Sequence, residues 1–165
     1  MDVISHGLWG AIAFGRKNRK IYWLTFAVGL MPDFLSFGIL FAGRILGLAS
    51  GPDWSAGPPD SSAIPNFVGS LYNLTHSLVL FAIVFLTIWL IKKKPYLPLL
   101  AWGLHVLIDI PTHSAQFFPT PFLWPLSNYK FDGISWGTPY IFLPNLALLI
   151  FFYSWWLIKK RKEKK

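Results

Sequence analysis

Three short basic clusters divide the chain, and each stands at the end of a long apolar run. RKNRK at 16–20, KKK at 92–94 and KKRKEKK at 159–165 hold thirteen of the fifteen Lys and Arg residues. Apolar runs that end on Lys and Arg are what the positive-inside rule expects of a multi-pass membrane protein with cytoplasmic basic loops. Composition agrees: 54% of the residues are hydrophobic and the mean hydropathy is +0.48, above the apolar share of a soluble domain. A net charge of +8 could by itself signal nucleic acid. Its confinement to the ends of apolar runs assigns it to topology and to contact with anionic lipid, so membrane lipids are expected partners and nucleic acid is not.

If each cluster marks the cytoplasmic face, a topology follows. Residues 140–158 run from outside to inside, 96–110 from inside to outside, and 66–91 back inward; 21–49 run outward and are broken at Pro32, where the helix loses a hydrogen bond. Residues 3–15 form a short first helix. The expected fold is all-α, a multi-pass helical membrane protein of about five spans, its N-terminus outside and its C-terminus cytoplasmic. A single helical domain covers 1–158, followed by a basic tail at 159–165. The Pro/Gly-rich segments 50–65 and 114–139 are extracytoplasmic loops by their turn chemistry. The second is rich in Trp, Phe and Tyr, as suits either an interfacial belt or a lid.

Against this greasy background the ionisable groups share a depth. At ~1.5 Å rise per helical residue, His6, Asp33, His76, His105 and Asp109 lie roughly 15 to 24 Å above their nearest basic cluster, and His113 slightly beyond Asp109. In a hydrocarbon core of ~30 Å that is one slab, in the middle to outer half of the membrane. These six include every histidine in the chain. Ionisable groups at such depth mark function by default.

Their types point to a metal. The chain has no Cys, so any ion must be held by nitrogen and oxygen. His105 and Asp109, at i and i+4, project from one helix face and can share an ion. Pro111 disfavours helix at Ile110, so periodicity does not place His113 on that face. In MPDF, Asp33 follows the helix break, where its carboxylate can cap the next helix or face a cavity. The donor set suits Zn²⁺ best, one or two ions, with Mn²⁺ or Fe²⁺ as alternatives. A carboxylate bridging two ions would clamp the attacking and leaving oxygens of a displacement, a natural arrangement for phosphoester hydrolysis.

The order of motifs SHGLWG, GLMPDF, YNLTHSL, HVLIDIPTH and PFLWPLS, spread over residues 1–127, resembles the family of predicted membrane-bound metal-dependent hydrolases, some of which are associated with LexA-controlled DNA-damage responses. It resembles, more distantly, the zinc-dependent phospholipase C group, a soluble all-helical fold with a multi-zinc site. That second resemblance implies that Asp33, His76, His105 and Asp109 surround one zinc, that His6 binds a second shared with Asp109, and that His113 belongs to a third. The further His and Glu of the third site have no counterpart here. Where many members of the membrane family carry a second acid and a His-Arg pair, this chain has Leu35, and Leu71 with Tyr72.

The expected function is a membrane-embedded hydrolase cleaving a phosphoester of a lipid or lipid-linked substrate with a metal-activated water, Asp33 and Asp109 being the catalytic carboxylates. Arg44 and Lys130, the only basic residues outside the clusters, either hold the phosphate or snorkel to headgroups. Tyr72 and Asn73, a turn before His76, are further contacts for substrate or ligands. Two other readings use the same residues: an ion or proton transporter with intramembrane relay groups, and a non-catalytic scaffold with a structural metal. The sequence does not fix an oligomeric state.

Overall fold

The computed structural model describes residues 1–49, 52–53 and 59–163. The described residues fold into helices joined by turns, with no strand. In chain order they are α1 (Val3–Phe14), α2 (Arg19–Asp33), a π-helical turn (Phe34–Gly38), α3 (Ile39–Ile45), α4 (Asn66–Thr75), α5 (Leu78–Lys92), α6 (Leu100–Thr112) and α7 (Pro139–Lys162).

The all-α class holds, but the count of about five spans does not. Two helical runs are long and apolar enough to cross a membrane: Arg19–Ile45, of 27 residues, and Pro139–Lys162, of 24. A third exists only if α4 and α5, bent by 52° at their junction, act as one. The apolar helix α1 has 12 residues, ~18 Å of rise against ~30 Å of hydrocarbon. The stretch Leu97–Thr112, which contains α6, is likewise too short. Apolarity there reflects burial against other helices: α1 packs on α2, and both pack on α6.

The break also moves. Pro32 lies inside α2, and the run continues through the π-helical turn into α3 without a gap. The π-turn shifts the hydrogen-bond register by one residue just beyond the proline, and the helix does not end there. The interruption falls instead at Thr75-His76-Ser77. Here α4 ends, and the Ser77 hydroxyl accepts from Leu80 N at 3.1 Å to cap α5. Similarly, α6 runs through Pro111 to Thr112, and His113 is its C-cap.

Small residues let α1 approach its neighbours. A Cβ on Gly29 would stand 2.6 Å from His6 O, so the α1–α2 crossing requires glycine there. On the other helix, a Cβ at Gly10 would meet Thr25 O at 2.9 Å and Ala101 Cβ at 2.8 Å, bringing α1, α2 and α6 together. Close backbone approach through small residues is how helices associate where lipid removes the hydrophobic drive.

Buried polar groups attach α7 to this core. Trp9 Nε1 donates to Asn145 Oδ1 at 2.8 Å, Asn145 Nδ2 donates to Ser5 Oγ at 2.9 Å, and Ser5 Oγ donates to Asp2 Oδ2 at 2.5 Å. Tyr153 adds a hydrogen bond to Leu8 O at 2.9 Å, and between these contacts α7 exposes apolar residues including Leu146, Ile150 and Phe151. The segment 114–139 folds back along the end of α6: Gly133 N donates to His113 O at 2.9 Å, Ile134 N to Pro111 O at 3.0 Å and Trp136 N to Thr112 O at 2.9 Å. The segment 50–65 lies partly outside the described residues.

Candidate metal centre

Asp109 is the hub. His6 Nε2 lies 2.8 Å and His113 Nε2 3.3 Å from its Oδ1; His105 Nε2 lies 3.1 Å and His76 Nε2 3.5 Å from its Oδ2. Asp33 Oδ1 closes the group at 3.4 Å from His76 Nε2 and 3.9 Å from His105 Nε2. His6, His76, His105 and Asp109 are buried, while the Asp33 side chain keeps 11% of its surface exposed. All six residues singled out by depth meet in one place.

Each local element explains its residue. His105 and Asp109 share a face of regular helix, one turn apart. His76 sits at the α4–α5 bend, freed from helical geometry by the Ser77 cap. Asp33 is the last residue of α2, with helical φ and ψ and no capping bond to the turn that follows, so its carboxylate is available to the cluster. His113, held at the end of α6 by its own N–H on Asp109 O, reaches the carboxylate one turn back.

The outward ring nitrogens settle the inward ones. His105 Nδ1 faces Gly29 O at 2.7 Å, and a carbonyl only accepts, so Nδ1 carries the hydrogen. Thr75 Oγ1 donates its one hydrogen to Leu71 O at 2.9 Å, so it must accept from His76 Nδ1 at 3.0 Å. In the neutral imidazoles both Nε2 atoms are then lone pairs, and they face each other at 3.1 Å. Asp109 Oδ2, pointing at the same spot, has no hydrogen-bond partner. Two nitrogen lone pairs and two carboxylate oxygens converging in a buried site repel one another unless a cation stands among them. Asp33, His76, His105 and Asp109 each offer a donor atom, all within 4.8 Å of one another, and this chemistry fits a divalent transition metal.

The other face of Asp109 already meets a cation. The Met1 ammonium contacts Asp109 Oδ1 and lies 3.1 Å from His113 Nε2, whose ring donates from Nδ1 to Phe118 O at 2.9 Å. His6 Nδ1 is buried without a partner.

Sequence reasoning missed the groups that orient the rings: Gly29 O, Thr75 Oγ1 and Phe118 O. Thr75 adjoins His76 and was within reach of a motif argument, whereas carbonyl acceptors leave no signature. Trp102, whose Nε1 donates to Thr75 O at 2.6 Å, fixes that turn from α6. Tyr72 stacks on His76 with ring centroids 3.8 Å apart, and its hydroxyl donates to Phe118 O at 3.0 Å. A cavity of about 510 Å³ opens beside the cluster, with Asp33 and His113 in its wall. Arg44, which donates from Nη1 to Pro52 O at 2.8 Å, is not in that wall, nor are Lys130 and Asn73.

The family model described as YdjM inner membrane protein matches residues 1–165, the whole chain. No curated protein and no solved structure matches it.

Proposed function

The chain belongs to the YdjM inner membrane protein family, and on that footing we propose that it is a membrane-embedded, metal-dependent hydrolase acting on a phosphoester of a lipid or lipid-linked substrate. One observation carries the proposal: the converging donors of Asp33, His76, His105 and Asp109, with Asp109 Oδ2 lacking a hydrogen-bond partner, beside an open cavity. These four residues would hold the ion, Zn²⁺ first and Mn²⁺ or Fe²⁺ next by donor type. Such an ion, when bound, supplies Lewis acidity and lowers the pKa of a water.

The protein's own groups do the rest. Asp33, the most exposed of the four and part of the cavity wall, is placed to take a proton from water entering from that side. The water oxygen bonds to phosphorus, the bond from phosphorus to the alcohol oxygen breaks, and the proton passes from Asp33 to the departing alcohol. Asp109, bonded to His6 on Oδ1 and facing His76 and His105 with Oδ2, would join the cluster through the ion. The likeness of the motif order to metal-dependent membrane hydrolases supports the same chemistry.

A structural-metal scaffold is the second reading, favoured by the number of protein donors. Four are enough to close a tetrahedral site, whereas catalytic sites keep a position open. Metal analysis and phosphoester hydrolysis by purified protein, prepared without chelators, separate the two. The expected result is stoichiometric transition metal with turnover. Asp33→Asn should lower that turnover by about 10²–10⁴-fold. Metal without hydrolysis of any phospholipid or simple phosphoester supports the scaffold; no metal at all sinks both.

A further inference from the structure

The cavity beside the cluster has mostly apolar walls, with Asp2, Thr112, Ser114 and Ser135 also on its lining. Around Asp33 and His113 stand the rings of Phe37, Phe41, Phe117 and Trp136. No Lys or Arg is among its described lining residues, although the chain carries fifteen. The one cation among the described lining residues is the Met1 ammonium, already engaged by Asp109, so the charge a phosphoester brings is answered at the cluster. The remaining surface is suited to hydrocarbon, and about 510 Å³ lies within the roughly 300–1,000 Å³ of small-molecule sites.

The apolar wall begins at the cluster itself. Tyr72, stacked on His76, has its ring centroid 6.2 Å from that of Phe37, and Phe37 in turn stands 6.1 Å from Phe117. Aromatic rings therefore lead from the donor atoms toward the cavity. Phe41 lines the cavity yet is 41% exposed. It lies on the same helical run as the exposed Phe34, Ile39 and Ile45. That run, Arg19–Ile45, is one of the two long enough to cross the membrane. A chain seated in the cavity can thus arrive sideways from the bilayer across α3.

We propose that this cavity binds a single hydrocarbon chain of the lipid substrate, the one adjoining the scissile phosphoester, and that Phe41, Phe117 and Trp136 set the length it accepts. The assignment rests on the hydrolase reading for the word substrate, and on the cavity alone for the chain.

Two measurements test it separately. Water-dispersed n-alkyl p-nitrophenyl phosphates of increasing chain length, assayed with the purified full-length protein, should show kcat/KM rising about fourfold per methylene until the cavity is full and then levelling. Phe41→Ala should move the plateau to longer chains and Phe117→Trp to shorter ones, in variants whose metal content matches wild type. Independently of turnover, a phosphatidylcholine carrying an alkyl diazirine in one chain, in phosphatidylcholine nanodiscs, should crosslink to the peptides containing Phe41 and Phe117. Excess unlabelled short-chain phosphatidylcholine should suppress those adducts. Adducts without hydrolysis of any ester overturn the hydrolase reading and leave the chain site standing. Hydrolysis with an unmoved plateau in both variants and no competed adducts overturns the chain site and leaves the hydrolase.

Discussion

His76 Nε2 and His105 Nε2 face each other at 3.1 Å inside the protein, each with its Nδ1 hydrogen spent on an outward partner. Two lone pairs at that distance need a positive charge between them, so metal and fold should be linked. Zn²⁺ at 100 times its Kd is predicted to stabilise the protein by about 2.7 kcal/mol, and at 1,000 times by about 4.1. Thermal unfolding across a Zn²⁺ titration checks this. His105→Ala should flatten the response.

Thr75 acts on the metal through His76. Thr75→Val keeps the shape of the side chain but removes the acceptor of His76 Nδ1. Metal affinity is expected to fall about 10–100-fold while the protein stays folded. Competition with a chelator of known affinity measures the loss, and Thr75→Ser should recover most of it.

Gly29 serves packing and chemistry at once. An added methyl would stand 2.6 Å from His6 O, and the Gly29 carbonyl is the acceptor that orients His105. Gly29→Ala is predicted to cost about 1–3 kcal/mol and to lower metal occupancy in the same preparation. Wild-type Tm together with wild-type metal content would show that the α1–α2 crossing has slack.

Asn145 is one polar attachment of α7, alongside Tyr153, which donates to Leu8 O. In Asn145→Leu, Trp9 Nε1 and Ser5 Oγ both lose a partner inside the protein. The expected destabilisation is about 1 kcal/mol, the range found for polar contacts between membrane helices. Unfolding in a denaturing detergent should report it, with metal content little changed because α7 contributes no donor to the cluster.

The bent pair α4–α5 decides whether two or three segments cross the membrane. The chain has no native Cys, so single-Cys variants report sidedness directly. If the pair crosses, as its terminal Lys cluster predicts, Lys93→Cys should react from the same side as Lys17→Cys, and Lys162→Cys from the other side, since α6 is too short to carry the chain back. Reaction of Lys93→Cys from the side opposite Lys17→Cys limits the crossings to two.

The sequence made the site more legible than the scaffold. Depth counting gathered His6, Asp33, His76, His105, Asp109 and His113, and these six do converge. The same counting assumed that each apolar run crosses, and α1 and α6 do not have the length. Hydropathy measures whether a segment avoids water; it does not separate lipid from neighbouring helices as the alternative. The helix break is legible too, since Ser77 after Thr75-His76 is a good N-cap, whereas Pro32 is carried inside α2. The carbonyls of Gly29 and Phe118 had no sequence signal, because every residue has one.

The long separation between α2 and α6 along the chain has a consequence for biogenesis. His6 and Asp33 emerge from the ribosome well before His105 and Asp109, at about 5–20 residues per second. Until α6 inserts against α1 and α2, the early half of the site has neither its hub carboxylate nor the imidazole that Gly29 O orients. The full donor set can therefore hold an ion only after α6 has docked.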